Sequence, residues 1–146
     1  MTISDAGIQM IEGFEGFSAS AYQDQRGIWT IGYGHARDVH EGDTCTPAQA
    51  QEWLASDLQT AQNIVNELVT ASLNQNQFDA LTSFVYNVGG GNFGKSTMLR
   101  ELNAGNFTAA SAQFPEWNKT GGKVSNGLVA RRAAEQKLFD TPMESA

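Results

Sequence analysis

Ala21-Tyr22-Gln23-Asp24-Gln25-Arg26-Gly27-Ile28-Trp29-Thr30-Ile31-Gly32-Tyr33-Gly34-His35 is the stretch on which the fold turns. Tyr22, Ile28, Trp29, Thr30, Ile31 and Tyr33 favour strands, and Gly27 supplies a turn between two short runs. The reading is a hairpin with Gln25, Arg26 and Gly27 at its tip, so that Asp24 faces Ile28 and Tyr22 faces Thr30. Side chains alternate along a strand, which puts Tyr22, Asp24, Ile28 and Thr30 on one face with Asp24 diagonal to Thr30, about 7–8 Å away. A carboxylate and a hydroxyl so placed can hold a water between them. Gly32 and Gly34 lack side chains, which permits another backbone to approach closely.

Helical patterns surround this hairpin. Ser4 or Asp5 can cap a first helix whose apolar residues Ile3, Ile8, Ile11 and Phe14 recur at helical spacing, with its end near residue 15 at Gly16. Residues 37–44 are polar and read as a turn or irregular edge. Thr46-Pro47-Ala48-Gln49 is a helix start, with Thr at the cap, Pro at the first helical position and Gln in the capping-box place. Trp53, Leu54, Leu58, Ala61, Ile64, Val65 and Leu68 extend it as one long amphipathic helix to about Val69. Further helices are expected over Phe78–Val88, from Ser96 or Thr97 to about Gly105, over Phe107–Phe114 and over Leu128–Phe139, with a Gly- and Asn-rich loop from Asn118 to Gly127. The class is α+β, with the strands confined to the first third.

A chain of 146 residues, 40% hydrophobic and 17% charged, has one domain's length and enough apolar matter for a core. Cys45 is the only cysteine, so no intrachain disulfide can form. No apolar run approaches the ~18 residues of a membrane-spanning helix, and the N-terminus lacks the pattern of a secretory signal; no stable membrane insertion is expected. Residues 1–94 carry Arg26 and Arg37 against eleven carboxylates, whereas residues 95–146 carry seven Lys and Arg against five, for a net charge of −7. That balance repels a polyanion, and no nucleic-acid partner is expected.

Gly89-Gly-Gly-Asn-Phe-Gly94-Lys95-Ser96 matches the phosphate-loop pattern letter for letter. A phosphate loop needs a buried strand before it, and the preceding apolar residues at 78, 81, 84, 85 and 88 have helix spacing instead. No second apolar strand ending in a Mg²⁺-holding Asp follows. The stretch reads as a Gly-rich break between helices.

Glu15 and Asp24 flank the hairpin as an acid pair. At about 100° per residue, Glu15 lies roughly 80° from the apolar stripe of the first helix and Glu12 roughly 140°, so Glu15 borders the buried face and Glu12 points to water. Glu15 also sits in the last helical turn, where the dipole disfavours an anion; this and partial burial both favour the protonated form that a general acid needs. One protonated and one ionised carboxyl are what glycosidic bond cleavage requires.

The run from Glu15-Gly16 to Thr30-Ile-Gly-Tyr-Gly-His35 resembles the phage-type lysozymes, the bacteriophage endolysin and muramidase family of glycoside hydrolases. The resemblance continues through Gln77-Phe-Asp-Ala-Leu81, Ser83-Phe-Val-Tyr-Asn-Val-Gly89, Ser96-Thr-Met-Leu99, Leu102-Asn-Ala-Gly105, Trp117 and Gly127-Leu-Val-Ala-Arg-Arg-Ala-Ala-Glu135. It implies a lysozyme-like fold in a single domain: an N-terminal lobe over about 1–45 with a short antiparallel sheet, a connecting helix over about 46–69, a helical lobe over about 70–146, and a substrate cleft between the lobes. By position, Glu15 matches the family's proton donor, Asp24 its second carboxylate and Thr30 its water-positioning hydroxyl. Tyr86, Asn87 and Ser96 fall where the family lines its sugar site. The implied reaction is hydrolysis of the β-1,4 bond between N-acetylmuramic acid and N-acetylglucosamine in bacterial peptidoglycan, with no metal and no cofactor. A monomer is expected, held in the host bacterial cytoplasm before lysis and dependent on a separate pore-forming protein to reach the wall.

Two further matches invite structural roles. His35 falls where it can pair with Asp57 on the long helix, and Arg131 and Arg132 match the family's paired arginines, with two roles open: tying the last helix to acids of the N-terminal lobe, or assisting Glu15 directly. The rival activities are a lytic transglycosylase, which needs one Glu and leaves an anhydro-sugar end, and a wall-binding protein without catalysis. Asp24 with Thr30 argues for water as the acceptor.

Overall fold

In a computed structural model of the chain the described residues are 1–143; the last three residues of the expected 70–146 lobe lie outside the described residues. Ser4 caps helix α1 (Asp5–Glu15): its Oγ accepts from the Gly7 amide at 3.1 Å and donates to the Asp79 carboxylate, which also accepts from the Ser4 amide at 3.0 Å. A side-chain oxygen at this place satisfies an amide that the helix itself leaves unpaired. Gly16, with φ of +65°, ends the helix where the sequence places the end.

Strand β1 (Ser18–Gln23) pairs antiparallel with β2 (Trp29–Gly32), in the expected register: Tyr22 opposite Thr30 and Gln23 opposite Trp29, with Asp24 N–H donating to Ile28 C=O at 2.9 Å. β1 starts earlier than the sequence indicates. Ser18, Ala19 and Ser20 carry no strand signal; their backbone is held by the 43–45 segment, through Cys45 N–H to Ala19 C=O and Ala21 N–H to Asp43 C=O, each 2.9 Å. Ladder bonds from a neighbouring segment override weak local propensity.

Helix α2 (Pro47–Leu68) opens on the expected capping box, Gln49 N–H to Thr46 Oγ1 at 3.2 Å and Thr46 N–H to Gln49 Oε1 at 3.0 Å. Ala50, Leu54, Leu58, Ala61 and Val65 form its buried stripe at i, i+4 and i+3 spacing. Helix α3 (Gln75–Val88) starts on a second capping box, Asn74 with Gln77. The glycine stretch does more than interrupt the chain. Gly89, φ +94°, ends α3, and Gly90–Gly94 then form a short helix, α4. Because α3 is a helix, the phosphate-loop pattern lacks the strand its chemistry needs, as the spacing indicates.

Helices α5 (Thr97–Asn103) and α6 (Phe107–Ser111) follow, then a 3₁₀ turn at Phe114–Glu116. The 118–127 loop requires a correction: it contains a two-stranded hairpin, β3 (Lys119–Thr120) with β4 (Lys123–Val124), so strands are not confined to the first third. Gly121 and Gly122 both have positive φ, +58° and +81°, which is the pair of conformations a two-residue hairpin turn demands. Helix α7 (Asn126–Asp140), capped by Ser125, closes the described chain.

The chain divides into two compact units, one of Met1–Ile8 with the chain from Ala61 onward and one of Gln9–Thr60, and the division falls inside α1 and α2. In the first unit the core is aromatic. The Phe84 ring meets those of Phe93, Phe114 and Trp117 edge-on, with centroids 6.3, 5.4 and 5.7 Å away. Phe78, Phe84, Phe93 and Phe114 are fully buried, and each contributes about 1.5–3 kcal/mol of burial free energy. In the second unit Ile31, Ala50, Leu54 and Leu58 are buried. Gly32 joins β2 to α2 there: its φ is +65°, and a Cβ would come within 3.0 Å of the Ala50 Cβ. Gly32→Ala is expected to lower stability by about 1–3 kcal/mol, read as a lower denaturant midpoint with an unchanged slope.

Candidate active site

The second unit holds all three expected catalytic side chains. Glu15 is the last residue of α1, Asp24 follows β1 directly, and Thr30 lies in β2. Glu12 and Glu15 are both half-buried, so Glu12 does not simply point to water. Electrostatics separates them instead. The Tyr22 phenol is raised above its ordinary value, first by partial burial and then by the charges of Glu15 and Asp24. One phenol therefore feels both members of the acid pair.

Asp24 is held by its own turn. Gly27, in the left-handed region at φ +80°, lets the chain reverse, and its amide donates to the Asp24 carbonyl at 2.9 Å. The reversal turns two further amides onto the side chain: Oδ1 accepts from Arg26 N–H at 2.8 Å and from Ile28 N–H at 3.0 Å. Oδ2 takes a longer contact from the exposed Arg26 guanidinium at 3.3 Å. The Ile28 amide, then the Arg26 amide and guanidinium, outweigh partial desolvation and hold the carboxyl below the usual aspartate range. Asp24 is an anion at neutral pH, with Oδ2 the oxygen left for other partners.

Thr30 is buried at 5% exposure, and its hydroxyl donates to Ile28 C=O at 2.9 Å. Its hydrogen is thereby committed, while its lone pairs can still accept. Tyr86 and Asn87 lie near the end of α3, Tyr86 half-buried and Asn87 exposed. Ser96 is different. Its hydroxyl caps α5, accepting from Leu99 N–H at 3.1 Å and donating to Phe93 C=O at 2.7 Å, and the residue is 5% exposed.

His35 and Asp57 do pair, Nδ1 to Oδ2 at 2.8 Å, and the imidazole stacks on Trp53 with centroids 4.7 Å apart. Arg131 and Arg132 meet Glu135 on their own helix. Arg132 Nε lies 2.7 Å from Oε1 and Arg131 Nε 3.3 Å from Oε2, and Ser83 of α3 donates to the same carboxylate at 2.5 Å. All four residues are buried, so the cluster pins α7 to α3. Arg–Glu spacings of three and four on one helix were the available signal for it. Cys45 is half-buried, and burial raises its thiol, the opposite of what a reactive thiolate needs. Among the described residues no cluster of His, Cys, Asp and Glu could hold a metal ion.

Among the described residues, seven helices with a short antiparallel hairpin near the start and a smaller one at 119–124 are the arrangement of a lysozyme-like fold. The family profile for phage lysozyme matches residues 12–135, and the chain belongs to that family. It is 49% identical over 144 residues to the endolysin of Bacillus phage PZA, a match covering 97% of this chain and 56% of that protein. It is 42% identical over 144 residues to the endolysin of Salmonella phage P22, covering 95% and 98%. Among solved structures, the muramidase domain of SpmX from Asticaccaulis excentricus is similar with a TM-score of 0.90 and 42% identity over 97% of this chain and 99% of that one. The chain spans about half the length of the endolysins of Bacillus phages PZA and B103, 56% and 55%.

Since the turn amides, above all that of Ile28, dominate the hold on Asp24, Arg26→Ala is expected to move the Asp24 titration upward only part of the way, leaving it below the usual aspartate range of about 3.9. Carbon-detected NMR titration of the carboxyl checks this. The stability this carboxylate contributes is present above the ordinary aspartate range and is lost as pH falls through the depressed value.

Proposed function

We propose that the protein is an endolysin that hydrolyses the β-1,4 bond between N-acetylmuramic acid and N-acetylglucosamine in bacterial peptidoglycan. The observation that carries this is the pair of carboxyls in unlike settings: Asp24 fixed as an anion by two turn amides, and Glu15 at a helix end, both acting on Tyr22. Two acids in different environments are the requirement of glycoside hydrolysis.

In this reading Glu15 gives its proton to the bridging oxygen as the glycosidic bond breaks. A water donates one hydrogen bond to Asp24 Oδ2 and the other to the Thr30 Oγ1, whose own hydrogen is tied to Ile28 C=O. The water's lone pair faces the anomeric carbon, its oxygen bonds there, and its proton passes to Asp24. The water enters opposite the leaving group, so the configuration inverts. Tyr86 and Asn87 contact the glycan, and Ser96, assigned to the glycan on sequence grounds, serves it by fixing the start of α5. No cofactor or metal enters any step.

The partner is peptidoglycan, and the chain acts as a monomer that waits in the host bacterial cytoplasm and reaches the wall with the help of a separate pore-forming protein. The support for the wall as the target is the set of relatives named endolysin, among them that of Salmonella phage P22.

Purified protein is expected to clear suspensions of bacterial cell walls. Glu15→Gln should reduce clearing by at least about 10²-fold with the circular dichroism spectrum intact, and Glu12→Gln should stay within about twofold of the parent. Wild-type clearing by Glu15→Gln would overturn the assignment.

A further inference from the structure

The hairpin face that carries Asp24 and Thr30 presents a third side chain to which the reaction above gives no task. Tyr22 stands opposite Thr30 in the ladder and two residues before Asp24, so strand alternation places it on their face. It is 41% exposed, and among the described residues its hydroxyl has no hydrogen-bond partner. Ile28, two residues before Thr30 on the same face, is 40% exposed. An aromatic ring and an aliphatic chain thus lie bare beside the carboxylate that the proposed reaction uses. An exposed Tyr offers an apolar plate with a polar tip, the combination found where ligands are gripped.

The hydroxyl is a dependable donor. Partial burial, then the charges of Glu15 and Asp24, keep the proton on the phenol above its ordinary value. Asp24, held as an anion, repels a negatively charged ligand and leaves an uncharged, oxygen-rich one as the group that fits.

We infer that Tyr22 is a glycan-binding and positioning residue, its ring and Ile28 carrying the apolar face of an uncharged N-acetylated sugar and its O–H donating to an oxygen of that sugar. The inference rests on the glycoside-hydrolase reading and names the element by which the hairpin seats the substrate over Asp24.

The test uses the N-acetylglucosamine tetramer as probe, titrated into the Glu15→Gln protein so that binding is read without cleavage. Tyr22→Phe on that background removes one hydrogen bond and is expected to weaken affinity about 2–10-fold, and Tyr22→Ala, which also removes the ring, at least about tenfold, both with unchanged thermal midpoints. With Glu15 present, Tyr22→Phe should raise KM on soluble glycan by the same factor and keep kcat within about twofold, the signature of lost binding. Unchanged affinity in both variants, or a loss of kcat without loss of affinity, overturns the inference. If Tyr22→Ala lowers the thermal midpoint, Tyr22→Phe decides alone. Failure of the parent protein to cleave walls would defeat the proposed reaction, and the binding titration would still judge Tyr22.

Discussion

Two backbone amides on one carboxylate oxygen fix the acid of the hairpin. The 24–28 turn aims the Arg26 and Ile28 amides at Asp24 Oδ1 and so fixes both the charge and the direction of the side chain. A surface aspartate would rotate freely and be screened by water. Here the same bonds that close the hairpin leave Oδ2 as the available oxygen. They also set Thr30, since its hydroxyl donates to the carbonyl of Ile28, whose amide holds Asp24. Folding of the turn and preparation of the site are one event, which is how a protein presents charge without reorganising at the moment of reaction.

The second requirement is a frame that keeps α1 and the hairpin in place. Ser4 joins the start of α1 to Asp79 of α3, the Thr46 capping box fixes where α2 begins, and Gly32 lets β2 press against Ala50. Further along, Glu135 is buried at the meeting of two guanidiniums and a serine hydroxyl. Such a cluster is weak evidence for net stability, because desolvation opposes the attraction, yet removing one partner leaves a buried charge without compensation and costs about 3–5 kcal/mol. The cluster links α7 to α3 through the Ser83 hydroxyl and carbonyl as well as the carboxylate.

Much of this was legible in the sequence because the signals are short-range. The hairpin register followed from Gly27 and strand propensity, the start of α2 from Thr46, Pro47 and Gln49, and the rejection of a phosphate loop from apolar spacing between 78 and 88. What escaped depends on geometry that local propensity does not carry. Residues 18–20 became strand through bonds from 43–45. Glu12 differs from Glu15 less in exposure than helix angles indicate, since a wheel carries no knowledge of what else packs nearby. Lys119–Val124 became a hairpin because Gly121 and Gly122 allow a turn that a Gly- and Asn-rich composition shows only as a loop. Ser96, which the resemblance places at the sugar site, also caps α5 through two hydrogen bonds. The place of Tyr22 opposite Thr30 followed from the hairpin register, whereas its exposed ring is seen only in the structure.

In the proposed reaction water, held by Asp24 and Thr30, is the group that replaces the sugar's leaving oxygen. Digestion of purified peptidoglycan in heavy-oxygen water, followed by mass and anomer analysis of the fragments, addresses it directly. The expected product is a reducing end that carries one heavy oxygen and appears first as the α anomer. An anhydro end, lighter than the hydrolysis product by one water and free of label, would contradict it.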